Sequence, residues 1–245
     1  MRVRPRALAM HLIDGIKRRL HRDIVADPVL HGRVLNLYLN GEQYPHRVCD
    51  YFPMAAVEDA ALELRLREHL REEDKHVALY AKAIRALEQP VCELPIDDVY
   101  NTVILRHTPP RRARSSSAAD RKLELANFFA HLHFLESRVA QSLEYHVDAC
   151  AHAASDYPAK AVSVILRDER AHAAYTREAV FCLVPAPLGR EVLEVHRRAE
   201  SRANREFSAR ELKRLLGEEG GRFAGRARTL YACGAALMGA RRLHG

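Results

Sequence analysis

Apolar residues recur along this chain at the three- and four-residue spacing of a helix, and no clear hairpin turn of the Asn-Gly type appears. Leu62, Leu66, Leu70, Val77, Tyr80 and Ile84 share one side of a helix predicted from about Met54 to Leu87. A helix from about Pro28 to Phe52 precedes it, with Pro28 in the first turn, where the missing N–H has no bond to lose. Leu125, Phe129, Leu132, Ala140, Leu143 and Val147 mark a third helix from about Ala119 to His152. Val162, Ile165, Leu166, Ala173 and Val180 mark a fourth from Ala159 to Leu183, entered through the turn Ser155-Asp156-Tyr157-Pro158. Residues 1–27 place Leu8, Leu12, Ile16 and Leu20 at i+4 spacing, which predicts a short amphipathic helix on the outside of the bundle. Beyond Pro185 and Pro187, helical stretches over 188–216 and 221–243 are expected, broken at Gly217 and Gly220-Gly221. There Leu193, Val195, Leu212, Leu215 and Leu216 provide the face that docks.

Between the second and third helices, residues 88–118 hold Pro90, Pro95, Pro109, Pro110 and the run Ser115-Ser116-Ser117. So long a connection within one domain needs a purpose, and a crossover along a four-helix bundle supplies one. The predicted fold is therefore all-α. It is a single domain over residues 1–245, with a bundle at about 28–184, a long crossover between helices two and three, and accessory helices at the N-terminus and over 185–245.

Composition agrees with this pattern and narrows the function. The 245 residues are 48% hydrophobic and 29% charged, with 11 Gly and no Trp, which excludes a disordered chain and suits helices. Five dispersed cysteines form no CxxC pair, so zinc-ribbon and thioredoxin chemistry are excluded and a reducing, cytoplasmic setting is expected. No apolar run approaches the roughly 20 residues of a membrane span; Thr229 to Gly239 is the longest candidate. His11 and Asp14 interrupt any signal-peptide core. The net charge of +7 gathers in Lys17–Arg22, in Arg106–Arg114 and in the last sixty residues. No interleaved aromatics accompany it, so it reads as a solvated basic face, and no nucleic-acid partner is expected.

The chemistry lies in two Glu-x-x-His motifs, Glu73-Asp74-Lys75-His76 and Glu169-Arg170-Ala171-His172. Residues three apart share a helix face, so each motif can offer a carboxylate and an imidazole to one site. Glu42 lies 31 residues before Glu73, and Glu136 lies 33 before Glu169, so the two halves repeat one plan: a lone Glu, then Glu-x-x-His on the returning helix. All but Glu42 sit inside apolar stripes, where charge is costly unless it pairs or binds metal. Four carboxylates and two imidazoles balance two divalent ions. Asp168 and Glu72 each precede a motif glutamate and are placed to accept the free N–H of the opposite histidine. Tyr80 lies one turn beyond His76 on the same face, where it either lines the pocket or, more simply, packs as a buried core aromatic. Pro45 predicts a kink or bulge just after Glu42.

Over roughly residues 28–184 these features resemble the ferritin-like di-iron carboxylate superfamily. The resemblance implies that Glu73 and Glu169 bridge two iron ions while Glu42 and Glu136 bind one each, with manganese allowed in either position. It implies an oxidoreductase that uses O2 to hydroxylate or otherwise oxidise a small organic substrate, supplied with electrons by a reductase; a homodimer is allowed. The alternative within the same superfamily is iron handling, as a ferroxidase or peroxide scavenger without an organic substrate. Rubrerythrins usually append a Cys-rich module that is missing here. Arylamine N-oxygenases carry an extra histidine four residues before the last glutamate, where this chain has Ile165. His46 and His133 are the remaining candidates for an extra ligand, more simply read as outer or surface groups.

Overall fold

The structure is a computed structural model that describes residues 5–109, 117–153 and 156–240. Among these the chain is all-helical, with no strand. Its helices are α1 (Pro5–Val25), α2 (Pro28–Glu42), α3 (Tyr44–Arg47), α4 (Ala60–Ala86), α5 (Tyr100–His107), α6 (Ala118–Ala153), α7 (Asp156–Leu183), α8 (Ala186–Glu219) and α9 (Gly225–Ala240). Short 3-10 turns lie at Met54–Ala56, Ile96–Asp98 and Gly220–Arg222. The expected turn at Ser155, and the Pro110 and Ser115-Ser116 part of the connection, lie outside the described residues.

Local chemistry sets the ends of the helices. Asp27 caps α2, its side chain accepting from the N–H of Val29 at 2.9 Å and of Leu30 at 3.2 Å, with Pro28 next in line. Asp59 caps α4 by accepting from Leu62 N–H at 2.8 Å. The helix expected to reach Phe52 instead stops at Glu42, and a single turn, α3, follows across Pro45. Proline offers no N–H to the carbonyl four residues back, so the backbone ladder fails there. The far end of α4 closes with Glu88 at φ 57°; Gln89 N–H donates to Ile84 and Glu88 N–H to Arg85. That is the left-handed Schellman closure, with glutamate where glycine is usual.

The early stop of α2 explains an asymmetry in the ligand spacing. Glu42 is the last residue of α2, whereas Glu73 lies 13 residues inside α4, about 20 Å from its start at 1.5 Å per residue. Residues 43–59 span that length; within them Tyr51 packs with Tyr44 and Val99, and the Phe52 ring lies 5.5 Å from that of His69 on α4.

The crossover is fastened to α2 by two asparagines one turn apart. Asn36 donates to Pro90 C=O at 2.9 Å and accepts from Cys92 N–H at 2.7 Å. Asn40 donates to Cys92 C=O at 2.9 Å and accepts from Leu94 N–H at 2.8 Å. The two amides thus satisfy extended backbone that has no strand to pair with. Gly32 makes the approach possible, since a Cβ there would stand 2.6 Å from the Gln89 side chain.

Packing pairs α2 with α4 and α6 with α7, and joins the pairs through α4 against α7. The core runs through Leu35, Leu39, Tyr80, Ile84, Leu143, Val162 and Ile165 at one level and Leu66, Phe129, Leu132 and Val180 at another. The N-terminal helix departs from expectation. It is not a surface strap: Ile16 and Ile24 are buried, in a cluster shared with Leu30 of α2, Leu212 and Leu215 of α8, and Tyr231 of α9. Its inward face is Ile13, Ile16, Leu20 and Ile24, while Leu12 is 53% exposed. The C-terminal helices do pack over the rest, although α8 passes Gly217 unbroken and Val195 points outward.

A cavity of about 510 Å³ lies between these layers. Ile13, Ile16 and Leu20 of α1, Val34 and Leu37 of α2, Leu132 and Val139 of α6, Leu212 and Leu215 of α8, and Met238 of α9 contribute apolar wall. Glu42, Glu73 and Glu136 also reach it. No described helix is long and apolar enough to cross a membrane.

Candidate metal centre

All six residues of the repeated motif converge between α2, α4, α6 and α7. Glu42, Glu73, His76, Glu136, Glu169 and His172 are each at most 6% exposed. His76 Nδ1 lies 3.1 Å from Glu169 Oε1 and 3.7 Å from Glu42 Oε2. His172 Nδ1 lies 3.7 Å from Glu169 Oε2 and 3.7 Å from Glu73 Oε1. Yet both histidine Nδ1 atoms and both Glu169 oxygens lack a hydrogen-bond partner. Buried polar atoms at such distances that do not line up with one another are aimed at a shared third point. One atom each from Glu42, Glu73, His76 and Glu169 fits within 4.8 Å, as does a second group of His69, Glu73 and His172. A carboxylate-rich donor set with imidazoles suits divalent iron or manganese, and Glu73 belongs to both groups.

The other nitrogen of each motif histidine meets a carboxylate from the opposite helix. His172 Nε2 of α7 is 2.8 Å from Glu72 Oε2 of α4, and His76 Nε2 of α4 is 3.4 Å from Asp168 Oδ2 of α7. These contacts favour a proton on Nε2, so Nδ1 is the nitrogen that faces the centre and would bind a metal ion once the ion displaces its proton. Burial opposes the charge of Asp168, but hydrogen bonds from Lys75, at 2.5 Å, from His76 and from Arg167 hold its carboxyl below the usual range. Asp168→Asn keeps the shape and removes that charge. It is expected to weaken metal binding about 10- to 100-fold, measured by chelator competition, with helix content unchanged.

His69 is the residue the motif search missed. It is 1% exposed, with Nε2 2.9 Å from Glu73 Oε1 and 3.6 Å from Glu136 Oε1. Its Nδ1 meets the Tyr175 hydroxyl at 2.7 Å, and its ring stacks on His172 with centroids 3.6 Å apart. The signal was present: His69 stands four residues before Glu73, the position that Ile165 occupies before Glu169. His46 and His133 do not join the group. His46 is half exposed and faces Asp74 at 2.9 Å, and His133 Nδ1 meets the Ala173 carbonyl at 2.8 Å. Tyr80 is fully buried with its hydroxyl unpartnered, and it is not among the residues that line the cavity.

Without metal the centre holds more acid than it can ionise. Burial, together with Glu42, Glu169 and Glu136, pushes the Glu73 carboxyl well above its usual range; burial and Glu169 do the same to Glu136. Burial works against His76 as a cation, but Glu169 and Glu42 more than offset it and raise it to about 10. His172 is raised by Glu169 and Glu72 against the same burial. Groups with raised values hold more protons folded than unfolded, so their stabilisation is lost as pH rises. Below about pH 6.5 the buried neutral His21, His31 and His146 act in the opposite sense, and above about pH 8 so does Lys17, which burial lowers to about 8. The metal-free protein is therefore expected to lose stability from about pH 6.5 to 8, read as a falling Tm. Saturation with a divalent ion should flatten that slope. An unchanged slope would mean that the ion does not replace these protons.

Comparison with protein-family models, with curated proteins and with solved structures finds no match to this chain, so the residues of the centre themselves carry its functional reading.

Proposed function

We propose that the chain is a ferritin-like di-iron oxidoreductase that uses O2 to hydroxylate or otherwise oxidise a small organic substrate. One observation carries the reading: the buried six-residue cluster, repeated from two halves of the chain, adjoins an apolar cavity of about 510 Å³ through Glu42, Glu73 and Glu136. That volume is within the range of small-molecule sites. Iron handling alone requires the ligands but no such chamber, so the cavity favours the oxygenase over the ferroxidase.

When bound, iron would supply the electrons and the open positions at which O2 reacts. The chain supplies the rest. His76 and His172 present neutral Nδ1 atoms, fixed by Asp168 and Glu72, and the four glutamates provide the balancing charge. The histidines and Glu169 do not reach the cavity, whereas Glu42, Glu73 and Glu136 do, so substrate would approach from the α2 and α6 side. The aliphatic walls from α1, α6, α8 and α9 exclude water from the bound substrate and position its apolar part.

The test begins with metal analysis after expression in iron-replete cells, followed by anaerobic reduction and admission of O2 with absorbance recorded. About two iron ions per chain and O2-dependent reoxidation are expected; a chain free of iron would overturn the assignment. Val139→Phe then separates the two activities, because Val139 lies one turn from Glu136 and lines the cavity. Iron content and iron oxidation should survive this filling of the chamber, while oxidation of organic compounds from cell extract is lost. If no organic compound is oxidised by the parent protein either, iron handling is the activity.

A further inference from the structure

Beyond this centre, one other cluster gathers metal-binding atoms among the described residues. His146 and Cys150 are four apart on α6 and so share a face, and His31 of α2 packs against them. One donor atom from each of the three lies within 4.8 Å of the others. His31 and His146 are fully buried and Cys150 is 2% exposed. A third ring, His21 of α1, stands 5.9 Å from His146 between centroids.

The two histidines do not satisfy one another. Their Nε2 atoms are 2.9 Å apart, and a neutral imidazole has one proton, so one ring donates at this contact and the other accepts. The donor's Nδ1 is then a bare lone pair and the acceptor's Nδ1 an N–H, and neither has a partner. Burial holds His31 down to about 4 and His146 well below its usual value. Both rings are thus in the neutral form that binds metal.

The geometry points to a second, mononuclear metal site formed by His31, His146 and Cys150, whose occupant is a soft monovalent cation, Cu(I). The donor set decides the class. A thiolate with imidazoles suits soft ions, and the absence of any carboxylate from the cluster disfavours magnesium, calcium and manganese. Charge decides the valence. One thiolate neutralises Cu(I) completely, whereas Zn(II) would leave a positive charge in a pocket whose three side chains are closed off from water. Binding forms a Cu–S bond and releases the thiol proton of Cys150, with no change of oxidation state. The assignment is independent of iron at the other centre, which contains no sulphur donor.

The test uses the full chain with its iron, under nitrogen, with Cu(I) delivered from bicinchoninate. One Cu(I) per chain is expected, with one sulphur and two nitrogen neighbours by X-ray absorption. Cys150→Ser should weaken Cu(I) binding by at least about 100-fold, the upper end of what an outer contact alone is worth, with iron content unchanged. His31→Gln gives a second reading should the serine variant fail to fold. A chain with Cys49, Cys92, Cys182 and Cys233 all changed to Ser should bind as before, since those thiols are exposed. Binding unaffected by both Cys150→Ser and His31→Gln, or abolished with the four exposed thiols, would overturn the site. Uptake of Zn(II) in preference to Cu(I) would overturn the choice of ion.

Discussion

Glu169→Ala is expected to lower bound iron from about two ions per chain to fewer than one, without loss of helix. Glu169 is fully buried and lies within 4 Å of Nδ1 of both His76 and His172, so with Glu73 it is a donor placed toward both histidines. Neighbours along α7 that do the packing, Val162, Ile165, Leu166 and Val180, are untouched by the change. Iron measured on the purified variant, beside circular dichroism, decides the matter. Full iron retention would place the metal elsewhere. Glu194→Ala is the control: Glu194 is exposed on α8, with Arg197 and Arg198 as its partners, and iron should not respond.

The second large effect concerns stability. Arg138 of α6 and Glu200 of α8 pair at 2.5 Å, with side chains 23% and 8% exposed, and the Tyr100 hydroxyl donates to the same carboxylate at 3.3 Å. Removing one member of a buried pair strands the other charge. Glu200→Ala is expected to cost about 3–5 kcal/mol and to lower Tm by roughly 10 °C. The double change Arg138→Met with Glu200→Leu should recover most of the loss, because neither charge is then left behind. A single variant as stable as the parent would mean that water reaches Arg138. This pair also ties the C-terminal helices to the bundle beside the cavity, so thermal loss should be accompanied by weaker retention of apolar ligands.

Much of this was legible in the sequence, and for a physical reason. Helical periodicity marks any long amphipathic element, so α6 and α7 match the sequence reading to within about three residues at each end. Helix α4 matches at its C-terminal end but begins at Ala60, six residues after the expected start at Met54. The six-residue cluster was visible because a charged group in an apolar stripe stands out and because the plan is repeated. Glu72 and Asp168 followed from simple adjacency. Four things escaped. Pro45 promised a kink, but that it would end α2 at Glu42 depended on where residues 43–59 found packing. His69 shares a stripe with leucines, and a single histidine there is more often core than ligand; beside Glu73 one turn along the same helix, its meeting with Glu136 of α6 gives it meaning. The burial of α1 was hidden because its partners, Leu212, Leu215 and Tyr231, come from the far end of the chain. The grouping of His31, His146 and Cys150 was invisible for the same reason, since 115 residues separate the two histidines.

The two outer carboxylates have a mechanical consequence. Glu72 reaches from α4 to His172, and Asp168 reaches from α7 to His76, so the two contacts cross between the same helices in opposite senses. Each carboxylate also adjoins a motif glutamate on its own helix. Sliding α4 along α7 in either direction therefore strains both contacts together, and slippage by one turn, about 5.4 Å, would break them at once. The axial register of the two helices and the tautomers of the two histidines are thus held by the same four side chains, and shear between α4 and α7 cannot widen the centre without also releasing its imidazoles.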